Sequence, residues 1–297
     1  MHAVVTLAGE GTRMLPWSRG LRKEFLPLYD RTGTGEPVLK PVAHLVVEAL
    51  AAAGADRITI VVQPRDAGFI QNYFSVDHAF LHRHRRTPDR LVETRQFYRT
   101  LDRVQFSFVS QPHAAGFGDA VLQSEGVVGK SPFFLHAGDG IVLEPHRGAA
   151  LRAMAKIREA DDLDAVLLVR RVADPRRYGV IEGVPDGKEG PYRRLRVTAM
   201  TEKPERPKTQ WAATAVYAFG TRLYPALEAV RKRDRPRELE LTEGIRHMLD
   251  HGGRVAALLI TPRTGTWRSV GSPEGYARAL VQTRNLSRRT ASGKASH

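Results

Sequence analysis

The 297-residue chain contains no cysteine. That excludes disulfide staples and every thiolate-ligated metal centre. Long apolar runs are missing as well. No stretch approaches the roughly 18 consecutive apolar residues of a membrane span, and no signal-peptide pattern opens the chain. A cytoplasmic location without a membrane partner is therefore expected. Lysine is scarce: of the 46 basic residues only nine are Lys. Codon usage alone can produce such an arginine excess. The net charge of +14 suits an anionic partner, small or large, without specifying which. Zinc-finger, RNA-recognition and helix-turn-helix patterns are absent, and no nucleic-acid partner is expected.

The most informative stretch is residues 3–28. Ala3 to Ala8 is a short apolar run and reads as a buried strand. Gly9 and Gly11 break it, and glycines there let backbone N–H groups approach a ligand closely. Such a loop can present a nest of donors to phosphate oxygens. Thr12 and Arg13 follow, and a guanidinium grips phosphate through two parallel hydrogen bonds. Lys23 and Glu24 come ten residues later. The third glycine of a dinucleotide fingerprint is missing, as is the Gly-Lys-Ser/Thr of a Walker loop. By itself the glycine pair is no more than a turn after a strand.

Farther along, Pro41 to Gly54 has helical spacing, Ile58 to Val62 is a β-branched strand, and Pro64 to Phe74 reads as helix. Strands at 104–110, 133–137 and 163–169 (the last ending in Arg170) interleave with a helix near 118–127. Residues 178–181 and 195–200 bracket a Gly/Pro turn and suggest a hairpin. Residues 212–219 and 255–260 read as strands; 222–232, 240–252 and 273–283 read as helices. This alternation predicts a doubly wound α/β fold with ligands at the carboxyl ends of the strands. Residues 71–103 form a basic helical insert, with His82, Arg83, His84, Arg85 and Arg86 on a face expected to be solvated. Residues 284–297 are polar and basic and are expected to be a disordered tail.

Several side chains are candidates for nucleotide chemistry. Asp139 follows an apolar strand, where a hard carboxylate suits Mg²⁺; otherwise it is a turn or cap residue. Gln111 carries an amide that can both donate and accept, matching a pyrimidine edge; otherwise it is a loop polar group. Glu202 can accept from sugar hydroxyls and Lys203 can meet a phosphate, although Glu-Lys-Pro is also a common surface tripeptide.

The whole string Gly-x-Gly-Thr-Arg-x-x-Pro, with Lys-Glu ten residues past the Arg, resembles the signature of the sugar-phosphate nucleotidyltransferases. Glu202-Lys203-Pro204, Tyr178-Gly179 and Glu240-Leu241-Thr242-Glu243 resemble later motifs of that family. The insert, which starts Gln-Asn-Tyr-Phe, resembles the UTP–glucose-1-phosphate uridylyltransferase branch. The resemblance implies a three-layer α/β/α, Rossmann-like fold over residues 1–283, with a mostly parallel mixed sheet. It implies UTP and glucose 1-phosphate as substrates, Mg²⁺ as cofactor, and glucose-1-phosphate thymidylyl transfer as the alternative activity. Arg13 and Lys23 would be catalytic. Leu7, Ala8, Gly9, Gly11, Thr12, Glu24, Gln111 and Gly116 would bind the nucleotide, Gly179, Glu202 and Lys203 the sugar phosphate, and Asp139 the metal. A homo-oligomer of this chain is expected. Two departures stand out. Ser269 occupies the place of a second metal Asp, and Gln210 the place of an Asn before the sugar pocket. The Ser269 departure leaves a nucleotide-sugar-binding regulator without catalysis as a further alternative.

Overall fold

The structure, a computed structural model, describes residues 1–234 and 237–288. In chain order the strands are β1 (His2–Thr6), β2 (Pro27–Arg31), β3 (Pro37–Pro41), β4 (Arg57–Val62), β5 (Gln105–Ser110), β6 (Phe133–Ala137), β7 (Gly140–Leu143), β8 (Ala165–Arg171), β9 (Gly179–Glu189), β10 (Tyr192–Glu202), β11 (Trp211–Phe219), β12 (Val255–Ile260) and β13 (Thr266–Ser269). The helices are α1 (Val42–Ala52), α2 (Ala67–Tyr73), α3 (His78–Arg83), α4 (Val92–Leu101), α5 (Phe117–Leu122), α6 (Glu125–Val128), α7 (Ala149–Ala160), α8 (Leu223–Asp234), α9 (Leu241–Asp250) and α10 (Pro273–Arg288).

Nine strands form one sheet in the order β5-β4-β1-β6-β11-β8-β12-β10-β9. The pairs β5–β4, β4–β1, β1–β6 and β8–β12 are parallel, and only β11 and β10 run against the rest. Both faces are covered, which is why the central strands read as continuous apolar runs. Along β1 and just beyond it, Val5 and Leu7 enter one core cluster while Val4 and Ala8 enter the other. This alternation makes three layers from one sheet. The parallel strands bring their carboxyl ends to one edge, and there the chain places Gly9, Gln111 and Asp139.

The basic insert is helical, as expected. It is anchored by aromatic contacts: Tyr73 sits edge-on to Phe25 at 4.9 Å, and Phe97 stacks on His44 at 3.6 Å. Residues 82–86 are exposed. Beneath it lies an ionic network, in which buried Lys40 meets Asp30, Glu48 and Glu93 at 3.0–3.1 Å.

Four features depart from the expectations. α7 and the two small ribbons β2–β3 and β7–β13 were not anticipated. The final helix runs to Arg288 rather than ending at 283, so residues 284–288 are not a disordered tail. Buried Thr283 and Ser287 dock that end, and the Thr283 hydroxyl accepts from the Tyr29 N–H at 3.3 Å. The remainder of the expected tail, 289–297, lies outside the described residues.

Two buried histidines set an acid limit. Burial pushes His136 down to about 4 and His44 down to about 3. Both are neutral in the folded protein at pH 6.5, whereas the unfolded chain takes up protons below that pH. Stability is therefore full above about pH 6.5 and falls as pH drops toward 4. Each histidine contributes about a tenfold loss in the folding equilibrium per pH unit within its window. Melting temperature measured between pH 7.5 and 4.5 should show this slope, and His136→Gln should flatten it.

Candidate functional site

The first wall of the site grows from β1. Its chain leaves the sheet at Leu7 and Ala8, both fully buried, and turns through Gly11 at φ +68° into a single helical turn at Thr12–Met14. Gly11 has a positional reason beyond this φ. A Cβ there would lie 3.1 Å from the Ser18 Cβ, and the Ser18 hydroxyl donates to the Gly11 carbonyl at 2.8 Å. The loop is held from below by Arg22, a buried guanidinium that donates to the carbonyls of Leu7 and of Gly9, the latter at 2.7 Å. Glu24 and Asp66 balance its charge at 3.4 and 3.2 Å. Leu7, Ala8 and Glu24 thus build the loop's support: their polar groups face Arg22 and Gln63, whose amide donates to the Ala8 carbonyl at 2.8 Å. Burial pushes Glu24 above the usual carboxylate range, against the pull of Lys23 and Arg22.

Lys23 projects beside this loop and meets Asp139 Oδ2 at 2.6 Å. Asp139 lies just past β6, and Gly138 before it is tight, since a Cβ there would strike Leu7 Cδ2 at 2.0 Å. Burial works against both charges. For Asp139, Lys23 and then Arg13 outweigh it and hold the carboxyl below its ordinary range. For Lys23, Asp139 and Glu24 outweigh it and hold the ammonium above. The ribbon β7–β13 brings the late segment to the same spot. Ser269 pairs with Gly140, and the Val270 N–H donates to the Asp139 carbonyl at 2.8 Å. A Cβ on Gly271 would sit 2.8 Å from Asp139 Oδ2, 3.1 Å from Ser269 Oγ and 3.3 Å from an Arg13 nitrogen. Asp139, Ser269 and Arg13 therefore converge on one glycine.

Gln111 follows β5 and is buried. Its Nε2 donates to Asp119 at 2.7 Å and to the Gly116 carbonyl at 3.2 Å. A carboxylate only accepts, so this contact fixes the amide orientation and leaves Oε1 free to accept. Gly116, at φ +105°, lies against the Leu239 backbone, where a Cβ would come within 2.4 Å of the carbonyl oxygen. That packing lets Leu239 donate to the Ala115 carbonyl and accept from Gly118 N–H.

The opposite wall comes from β9, β10 and the start of α9. A Cβ on Gly179 would meet Thr242 Cγ2 at 2.8 Å and Glu202 Oε2 at 3.3 Å. Lys203 adopts φ +40°; its N–H donates to the Tyr178 carbonyl at 3.0 Å, and its ammonium reaches Glu202 at 3.0 Å and Glu240 at 3.5 Å. Glu240 caps α9 through a capping box with Glu243. Burial, then the neighbouring Glu202 charge, raises Glu240 above its ordinary range.

One cleft of about 350 Å³ joins these walls and is lined by Arg13, Asp139, Gly179, Glu202, Glu240 and Ser269, among others. Lys23 reaches it through Asp139, and Lys203 through Glu202 and Glu240. Leu7, Ala8, Gly9, Gly11, Thr12, Glu24, Gln111 and Gly116 are not part of its lining. Sequence reasoning passed over Arg22 and Gln63, the loop's supports, and Arg170, Trp267, Arg268 and Arg278, which also line the cleft. Arg170 had a visible signal, a charge at the carboxyl end of an apolar strand. The others depend on tertiary contacts with no local pattern. Among the described residues no helix is long and apolar enough to cross a membrane.

Comparison with known proteins shows the family and the fold. A glucose-1-phosphate thymidylyltransferase of Neisseria meningitidis is 25% identical over 285 residues, spanning 95% of this chain and 83% of the relative. A UTP–glucose-1-phosphate uridylyltransferase of Mycoplasma pneumoniae is 27% identical over 288 residues, spanning 95% and 91%. The solved structure of a UTP-bound UGPase from Acinetobacter baumannii superposes with a TM-score of 0.78 at 25% identity, covering 95% of this chain and 92% of that one. The nucleotidyl transferase family pattern matches residues 2–285, and the chain belongs to that family.

Proposed function

We propose that this protein transfers a uridylyl group from UTP to glucose 1-phosphate, giving UDP-glucose and pyrophosphate. The observation that carries the reading is the single cleft that places the Arg13–Lys23–Asp139 group opposite Gly179, Glu202 and Lys203. One end offers cations at a glycine turn, as a triphosphate requires. The other offers carboxylates for hydroxyls and an ammonium for a phosphate. An oxygen of the sugar phosphate attacks the α-phosphorus of UTP. The bond to the bridging oxygen breaks, and pyrophosphate leaves with the electron pair. The nucleophile is already an anion, so no proton must be removed from it. Catalysis is then positioning and charge compensation. Arg13 holds the triphosphate. Lys23 keeps protons for phosphate oxygens while bound to Asp139, since an ammonium has three donors. The free Oε1 of Gln111 accepts from the imide N–H of uracil. Thymine carries the same group, and the relatives include thymidylyltransferases, so thymidylyl transfer is the second reading.

The donor set fits Mg²⁺. Among the described residues no group of three or more His, Cys, Asp or Glu side chains converges, and a cation must therefore be held largely by its nucleotide. Mg²⁺ accepts one or two carboxylates alongside substrate phosphates and water, and Asp139 would be its protein ligand. When bound, it would neutralise charge on the phosphate oxygens. Ser269→Asp adds a second carboxylate at the Gly271 convergence. It should lower the Mg²⁺ concentration for half-maximal rate severalfold, as read from a Mg²⁺ titration; an unchanged dependence would place Ser269 outside the metal's reach.

Lys203→Ala should raise the KM for glucose 1-phosphate about tenfold to a hundredfold, the worth of a charge-assisted contact, with the KM for UTP little changed. The reading as a whole is tested with UTP and dTTP, each against glucose 1-phosphate and galactose 1-phosphate, by pyrophosphate release. Fastest turnover with UTP and glucose 1-phosphate supports it. Fastest turnover with dTTP would shift it to the second reading. Nucleotide binding with no release in any combination would favour a non-catalytic regulator.

A further inference from the structure

The cleft carries more positive charge than a triphosphate end alone explains. Five arginines line it against three carboxylates. Arg13 belongs to the glycine turn, but Arg170, Arg268 and Arg278 form a separate wall. Arg170 sits between two rings, 5.0 Å from the centre of Tyr178 and 4.6 Å from that of Trp267. Tyr178 precedes Gly179, so this wall borders the acceptor end. A guanidinium held against two rings loses little freedom when it binds.

The wall has no internal carboxylate partner; its hydrogen bond within the protein runs from Arg268 Nη1 to the Trp267 carbonyl at 3.0 Å. Among the described residues, none of these three arginines has a carboxylate within 4.0 Å. Other arginines nearby in sequence do: Arg176 pairs with Asp174 at 2.8 Å, and Arg194 with Asp161. The charges that bear on Arg268, after burial itself, are Arg170 and Arg278, both of its own sign. Arg170 Nε, Arg268 Nε and Trp267 Nε1 are buried donors without a hydrogen-bond partner. Unpaired buried donors and clustered like charges are costly in a folded protein unless a ligand satisfies them.

We propose that Arg170, Arg268 and Arg278 receive a second anionic group on the acceptor, so that the favoured substrate is a sugar 1-phosphate that also bears a carboxylate or a second phosphate. This rests on the acceptor site lying beside Gly179, Glu202 and Lys203 as described above. Three cationic side chains with free donors match a carboxylate or phosphate, and a neutral hydroxymethyl group would leave them unsatisfied.

The test compares kcat/KM for glucose 1-phosphate, glucuronic acid 1-phosphate and glucose 1,6-bisphosphate with UTP, using pyrophosphate release. The expected result is a preference of about tenfold or more for one of the doubly anionic acceptors, and the better one identifies carboxylate or phosphate as the group held. Arg268→Met should reduce that preference about tenfold through KM, and Arg268→Lys should restore part of it. Arg278 is exposed, so Arg278→Met gives the same reading without risk to folding. Equal use of all three acceptors would overturn the proposal while leaving uridylyl transfer intact. So would variants that weaken all three acceptors equally, because the wall would then serve the shared 1-phosphate. If no acceptor releases pyrophosphate, the proposed function falls and this inference falls with it.

Discussion

Asp139→Asn is expected to reduce turnover about a thousandfold while the protein stays folded. Removal of one preorganised charge or donor from an active site typically costs a hundredfold to a thousandfold. Here the same carboxylate also orders Lys23, at 2.6 Å. Asn retains the shape and one hydrogen bond to the ammonium but removes the negative charge. Asp139→Ala is a poorer probe, because it leaves the buried Lys23 charge without its main partner; breaking such a pair costs about 3–5 kcal/mol. The double variant Lys23→Met, Asp139→Asn separates the two effects. It should recover melting temperature relative to Asp139→Ala and remain inactive. A fully active Asp139→Asn would remove the carboxylate from the proposed chemistry.

Gly116→Ala should have the largest effect on the architecture of the base side. The position has φ +105°, and an added Cβ would meet the Leu239 backbone at 2.4 Å. Backbone cannot rotate away as a side chain does, so the contact between residues 115–118 and Leu239 must open. Strain of the left-handed conformation for a residue with a Cβ adds about 1–2 kcal/mol, and overpacking adds about 1–3 kcal/mol. A drop in stability of about 2–5 kcal/mol by urea denaturation is the expected outcome, together with weaker UTP binding because Gln111 is anchored to the Gly116 carbonyl. An Ala variant with wild-type stability would mean that the loop accommodates the methyl by moving as a unit.

Much of this fold was legible because its central strands are buried on both faces. The runs at 58–62, 133–137 and 255–260 are mostly apolar, the first of them β-branched, and the sheet uses each of them close to its expected bounds. The ribbon of β2 and β3 was hidden by the prolines at its ends, which read as breakers, although an edge ribbon tolerates them. β13 was hidden by being short and polar, since it serves to deliver Ser269. α7 carried a readable signal in Ala150, Leu151, Met154 and Ile157, all buried, and was passed over between two stronger strands. The end of α10 was misjudged because Arg284 and Arg288 flank a polar stretch whose docking depends on Thr283 and Ser287, small hydroxyls with little apolar pattern.

The candidate site was legible where chain order and chemistry coincide. Gly11, Arg13 and Lys23 lie in one short stretch, and Glu202 and Lys203 are adjacent. It was illegible where side chains from distant segments meet. Arg170 faces Trp267 only because β8 and the β7–β13 ribbon flank the same cleft. Arg22 looked like one more basic residue of the loop, and only folding shows it donating to carbonyls beneath the glycine turn.

The measurement that bears most directly on the central claim is a ³¹P NMR time course of the protein with Mg²⁺, UTP and glucose 1-phosphate. The account predicts that the UTP and glucose 1-phosphate resonances decline together, replaced by pyrophosphate and the paired diphosphate signals of a nucleotide sugar in equal amounts. Unchanged spectra at high enzyme concentration, or conversion of UTP to UDP and orthophosphate with glucose 1-phosphate untouched, would contradict it.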